Sequence, residues 1–137
     1  MELRIENGLD NKWLLDRMNG FWKDYSGAAR HIVPATDIVE DQDAYHFYFE
    51  MPGLKRDSVE VKVEDERLML AAERKRPELP ENTEVHMAER SYGLIQRSFR
   101  LPKDASSDRI NASYQDGVLE VTVEKRAEAK PVKIQVN

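Results

Sequence analysis

The side chains with the widest chemical repertoire are the three histidines, His31, His46 and His86. They fall in unrelated contexts, and no two stand at a spacing that would let them share a metal ion. The chain has no cysteine, so disulfides and thiol catalysis are excluded, and a structural zinc would need several His and carboxylate ligands instead. Carboxylates are abundant, 26 Asp and Glu against 21 Lys and Arg. An acid/base pair, however, needs a shifted pKa in a low-dielectric cleft, which spacing alone does not provide. Ser91, Ser98, Ser106 and Ser107 lack the strand–turn–helix context of a nucleophile elbow. Gly53, Gly93 and Gly117 each stand where a turn needs one, not in a phosphate-binding run. No metal, cofactor or catalytic site is expected, and the chain does not read as an enzyme.

The bulk properties narrow the remaining classes. At 137 residues there is room for one domain with extensions. The net charge is −5, with both signs mixed along the chain. Nucleic acid is therefore not an expected partner, because phosphate neutralisation needs clustered Lys and Arg. "MELRIENGLDNKW" carries charges where a signal peptide needs an apolar run, and no long apolar segment follows. The expected localisation is cytoplasmic, with no membrane required.

Two periodicities divide the chain. Leu9, Trp13, Leu14, Met18, Phe21, Trp22 and Tyr25 recur at helical spacing, and both tryptophans of the chain lie among them. Asp10 or Asn11 could cap this helix, and "SGAARH" ends it. Its aromatic face either packs on the protein's own core or serves a partner. From Val33 the period becomes two. Tyr45, Phe47 and Phe49 alternate with His46, Tyr48 and Glu50, and Pro52-Gly53 fits a type II turn. Val59, Val61 and Val63 share one face, "EDER" reads as a turn, and Leu68 to Ala72 follow as a strand. Ile95, Phe99 and Leu101 alternate before Pro102, and Asp116-Gly117 joins two further alternating runs as a tight hairpin. The count of short strands predicts an all-β domain, a two-sheet sandwich.

Two stretches have no place in such a core. Between Arg74 and Tyr92 the pattern lapses into a polar insert with a brief strand-like stretch at Glu84 to Ala88. The chain then finishes in "AKPVKIQVN", with Val132, Ile134 and Val136 alternating in an otherwise charged terminus. A short apolar segment with no core of its own suggests a docking partner, or else an extra edge strand on its own sandwich.

Taken in order, "PATDIVEDQDAYHFYFEMPGLKRDSVEVKVEDERLMLAAER", "RSYGLIQRSFRLP", "INASYQDGVLEVTV" and "KIQV" resemble the small heat-shock proteins of the α-crystallin family, bacterial type. The resemblance covers roughly residues 33–126 and the tail. It implies an immunoglobulin-like β-sandwich at 33–126, a short helical arm at 1–32 and an extended tail at 127–137. It implies a swapped dimer in which "EVHMAE" is exchanged, with Glu84, Val85, His86, Met87 and Arg97 at the dimer contact. It also implies that Ile134 and Val136 anchor the tail in another subunit's groove, with Val132 to Ile134 as a second register. That groove is expected between the strand at Leu68, Met69 and Leu70 and the strand at Val118, Leu119 and Val121. The function implied is that of an ATP-independent holdase, a dynamic homo-oligomer that captures non-native client proteins. Trp13, Leu14, Met18, Phe21, Trp22 and Tyr25 are the client-binding candidates. Two other classes compete: a monomeric CS-domain co-chaperone, and a sandwich module that binds sugar or peptide.

Overall fold

The computed structural model describes residues 4–6, 31–129 and 131–137. Among the described residues nine strands form two sheets: β1 (Arg4–Glu6), β2 (His31–Ile32), β3 (Thr36–Glu40), β4 (Ala44–Glu50), β5 (Val59–Glu64), β6 (Arg67–Arg74), β7 (Gly93–Arg100), β8 (Ala105–Gln115) and β9 (Val118–Lys125). The first sheet runs β1-β7-β6-β5, with β2 also paired to β7; the second runs β3-β4-β9-β8. All pairings are antiparallel except β2 with β7. The pairs β1 with β7 and β2 with β7 lie within the stretch whose periodicity predicted only an arm, because runs of three and two residues carry no readable alternation.

The alternation seen in the sequence is the alternation of burial. Tyr45, Phe47 and Phe49 are buried on the inner face of β4, while His46 and Tyr48 are half-buried and Glu50 is exposed. Their partners across the sandwich are Leu68, Leu70 and Ala72 of β6, and Ile95 and Phe99 of β7. Phe99 lies against both Phe47 and Phe49, with ring centroids 5.5 and 6.0 Å away in tilted geometry, a favoured arrangement for the ring quadrupoles. Val59, Val61 and Val63 of β5 are half-buried and close one flank of this core.

Turn chemistry sets the register. Asp65 and Glu66 both adopt positive φ, 52° and 61°, so β5 and β6 are joined by the primed turn that matches strand twist. Asp116 and Gly117, at 54° and 77°, repeat this between β8 and β9. A Cβ at Gly117 would stand 3.2 Å from the Cβ of Pro52, and the Gly117 carbonyl accepts from the Met51 N–H at 2.8 Å. The tip of one hairpin is thereby locked against the turn that leaves β4.

The insert from 75 to 91 contains no strand, and each of its residues is exposed. The strand-like stretch at Glu84 to Ala88 has no neighbouring strand to complete its hydrogen bonds, and alternation without a ladder does not make a strand. Residues 131–137 are likewise extended into solvent without secondary structure.

Candidate assembly and client-binding surfaces

None of the residues with chemical potential converges on an active site among the described residues. No group of three or more His, Asp or Glu is placed to hold a metal there. His46 is engaged structurally: its Nε2 lies 2.7 Å from Asp41 Oδ2, and its Nδ1 lies 3.3 Å from the Thr122 hydroxyl. Asp41 Oδ1 accepts the backbone N–H groups of Asp43 and Ala44, at 2.7 and 2.8 Å, closing the β3–β4 turn. The His46 hydrogen bond, reinforced by those two backbone donors, holds the Asp41 carboxyl at about 2. Ser106 donates to Asp108 inside the irregular start of β8, which lowers the Asp108 pKa. Tyr45 donates to Asp104 at 2.7 Å, and burial, with that hydrogen bond, pushes its phenol far above the usual range. These contacts stitch turns to strands; none joins a nucleophile to a base.

Val132, Ile134 and Val136 are 83%, 82% and 90% exposed. Of the residues named for the tail's groove, most are packed away from the surface. Leu68, Leu70, Leu119 and Val121 are packed in the core, and Met69 is buried on the opposite face of the first sheet; Val118 is half-buried. Strands β6 and β9 are interior to their sheets, so their side chains and backbone groups are already satisfied. The accessible trough opens one strand further out, where the terminal strands β5 and β8 meet at the edge of the sandwich. Val59, Val61, Ala112 and Tyr114 form its walls, and Leu119 reaches its floor. Arg56 sits at one end, its Nη2 3.5 Å from the Tyr114 carbonyl. The missing signal was sheet order, which alternation cannot reveal.

The residues named for the dimer contact separate into two groups. Glu84, Val85, His86 and Met87 lie on the exposed insert, with Val85 at 56% and Met87 at 76% exposure. Arg97 instead faces inward from β7. Its Nη1 donates to the Pro34 carbonyl at 2.8 Å and to Thr36 Oγ1 at 2.9 Å, and its guanidinium lies 5.0 Å from the Phe99 ring centroid. Trp13, Leu14, Met18, Phe21, Trp22 and Tyr25, with the predicted helix that carries them, lie outside the described residues. No helix among the described residues is long and apolar enough to cross a membrane.

Comparison with known proteins places this sandwich. Residues 37–137 match the Hsp20/alpha crystallin family. Small heat shock protein C2 of Rickettsia felis is 32% identical over 98% of this chain and 88% of its own length. An 18.1 kDa class I heat shock protein of Pisum sativum is 43% identical over 72% of this chain and 65% of its own length. Among solved structures, a small heat-shock protein from Xylella fastidiosa superposes with a TM-score of 0.66 at 35% identity, over 77% of this chain and 97% of that one. With its two-sheet sandwich, no converging catalytic groups among the described residues, and a match over three quarters of its length, the chain belongs to the Hsp20/alpha crystallin family of small heat-shock chaperones, which are not enzymes.

Proposed function

We propose that the protein is an ATP-independent holdase that captures partly unfolded clients and works as a dynamic homo-oligomer built from swapped dimers. The observation that carries this reading is a mismatch within one chain: an exposed aliphatic tail, and at the β5–β8 edge a partly apolar trough that no described residue fills. Each could satisfy the other between two copies. Ile134 and Val136 would enter pockets along the trough while the tail backbone pairs with a strand edge. Burying one aliphatic side chain is worth about 1.5–3 kcal/mol before ordering costs. Two such side chains, less the entropy of fixing the tail, leave a contact of roughly millimolar strength alone. Several such contacts in one assembly hold it together while each opens singly.

Swapping is supported by the insert. It is long, polar and exposed, and its apolar residues Val85 and Met87 alternate without a strand to pair with. Among the described residues strand β3 ends the second sheet, and Val39 on it is 50% exposed. An insert reaching to β3 of a second copy would complete both. The aromatic residues of 13–25 remain the proposed client surface, together with a trough vacated by its tail. A cytoplasmic location fits this role.

The test is light scattering from a heat-labile client, warmed with and without this protein and with no nucleotide present. Suppression near one subunit per client is expected. Aggregation equal to that with an inert protein would overturn the holdase reading and favour a small co-chaperone with one folded partner.

A further inference from the structure

We propose that the recess beside Gly53 is a binding site for a phosphate-class oxyanion, held by the guanidiniums of Arg74 and Arg90. Arg74 ends β6, and its Nη1 donates to the Ser91 carbonyl at 3.2 Å. That hydrogen bond fixes where the insert returns to the sandwich and brings Arg90 alongside. Both side chains converge on Gly53, where a Cβ would lie 3.5 Å from Arg90 Nη2 and 3.8 Å from Arg74 Nε. The two nitrogens are therefore within about 7 Å of each other. Arg76 and Arg90 both lie over the Tyr92 ring, at 5.0 and 5.5 Å from its centroid, and Arg90 Nη1 donates to the Tyr92 hydroxyl at 3.1 Å. Three guanidiniums thus gather at the base of the insert, and no described carboxylate is ion-paired with any of them.

Two features point to a missing acceptor. Arg74 Nε is shut off from solvent and has no hydrogen-bond partner, and a buried donor left unpaired is destabilising. Arg74 and Arg90 repel one another at this separation. A single negatively charged acceptor between them relieves both, and guanidinium geometry suits an oxyanion. The adjoining recess is lined by Gly53, Leu54, Lys55, Ser58, Glu73 and Lys75. Lys55 and Lys75 add two cations; the carboxylates nearby are Glu73 in this recess and Glu84 and Glu89 in the pocket that Arg76 and Arg90 line, in a chain whose overall charge is −5. Five cations, Lys55, Arg74, Lys75, Arg76 and Arg90, still outnumber these three carboxylates by two, which favours the doubly charged phosphate group. Gly53, at φ 78° and without a side chain, leaves the approach open.

The site makes no use of the tail or of the client surface, so its test is separate from that of the holdase reading. Inorganic phosphate is titrated into the full-length protein, followed by phosphorus NMR line width and by the thermal midpoint against chloride at matched ionic strength. Saturable broadening is expected, with a midpoint rise of roughly 2–6 °C at about ten times Kd. Arg74→Gln and Arg90→Gln should each weaken binding about tenfold or more, and Arg109→Gln, on β8, should leave it unchanged. Competition by O-phosphoserine identifies an esterified phosphate as a ligand, and its failure leaves free phosphate. Absence of saturable binding to the wild type overturns the proposal. So does equal weakening by Arg109→Gln, which would mean diffuse attraction to basic side chains. Arg90 sits on the exposed insert, so its variant reports on binding even if Arg74→Gln fails to fold.

Discussion

Arg97 of β7 reaches across the sandwich to Pro34, its Nη1 2.8 Å from the carbonyl that precedes β3. One guanidinium nitrogen serves Pro34 and Thr36 together, while the cation lies over Phe99. The first and second sheets are thus joined at their entrance by a charged side chain rather than by apolar contact alone.

Arg97→Ala removes these hydrogen bonds and the cation–ring contact, and should cost about 2–4 kcal/mol in denaturant unfolding. Arg97→Lys should recover only part, because an ammonium cannot reproduce the planar fork. For a contact made within one chain the loss is independent of protein concentration. A loss that grows on dilution would assign Arg97 to a subunit interface instead.

Asp41 gives a signed pH dependence. Its carboxyl titrates at about 2 in the fold against a reference of 3.8, so it binds its proton less readily when folded. Stability from this group is fully present above 3.8 and is lost as the pH falls toward about 2. Asp41→Asn should therefore be less stable than the wild type at neutral pH, with the difference closing across that window. Acid unfolding curves of the two proteins, followed by circular dichroism, would check it; a constant offset down to the lowest pH would contradict it.

Gly117 should tolerate no side chain. Alanine there meets the Pro52 ring at 3.2 Å and must adopt φ near 77°. A loss of about 1–3 kcal/mol is expected, with the β8–β9 hairpin the first element to lose amide-exchange protection. Asp116→Asn, at a position where asparagine also accepts positive φ, should change little.

Tail and trough should fail in the same way. Truncation after Lys130, and separately Ala112→Glu in the trough wall, should each give smaller particles in light scattering while leaving the sandwich's circular dichroism unchanged. A peptide spanning 130–137, supplied in trans, should bind the truncated chain, whose trough is intact, and should fail to bind the Ala112→Glu variant. Full-size oligomers from the truncated chain would remove the tail from the assembly scheme.

Much of this was legible in the residues because period and turn chemistry are local. Tyr45, Phe47 and Phe49 declared the inner face of β4, Asp116-Gly117 declared a tight hairpin, and the alternating Val132, Ile134 and Val136 marked an apolar segment with no core of its own. The strands at 4–6 and 31–32 were not legible, since their partners lie on β7, far along the chain. The open trough at the β5–β8 edge was not legible for the same reason: β5 and β6 both alternate, and nothing local says which one ends its sheet.

The sequence by itself determined the alternation, the turns, the poverty of catalytic groups and the family to which the chain belongs. Only the tertiary structure decided which strands lie at the edges, that Arg97 turns inward, and that Arg74 and Arg90 converge on Gly53. Side-chain alternation follows from the geometry of a single strand, whereas sheet order and charge proximity depend on pairings between residues distant in sequence.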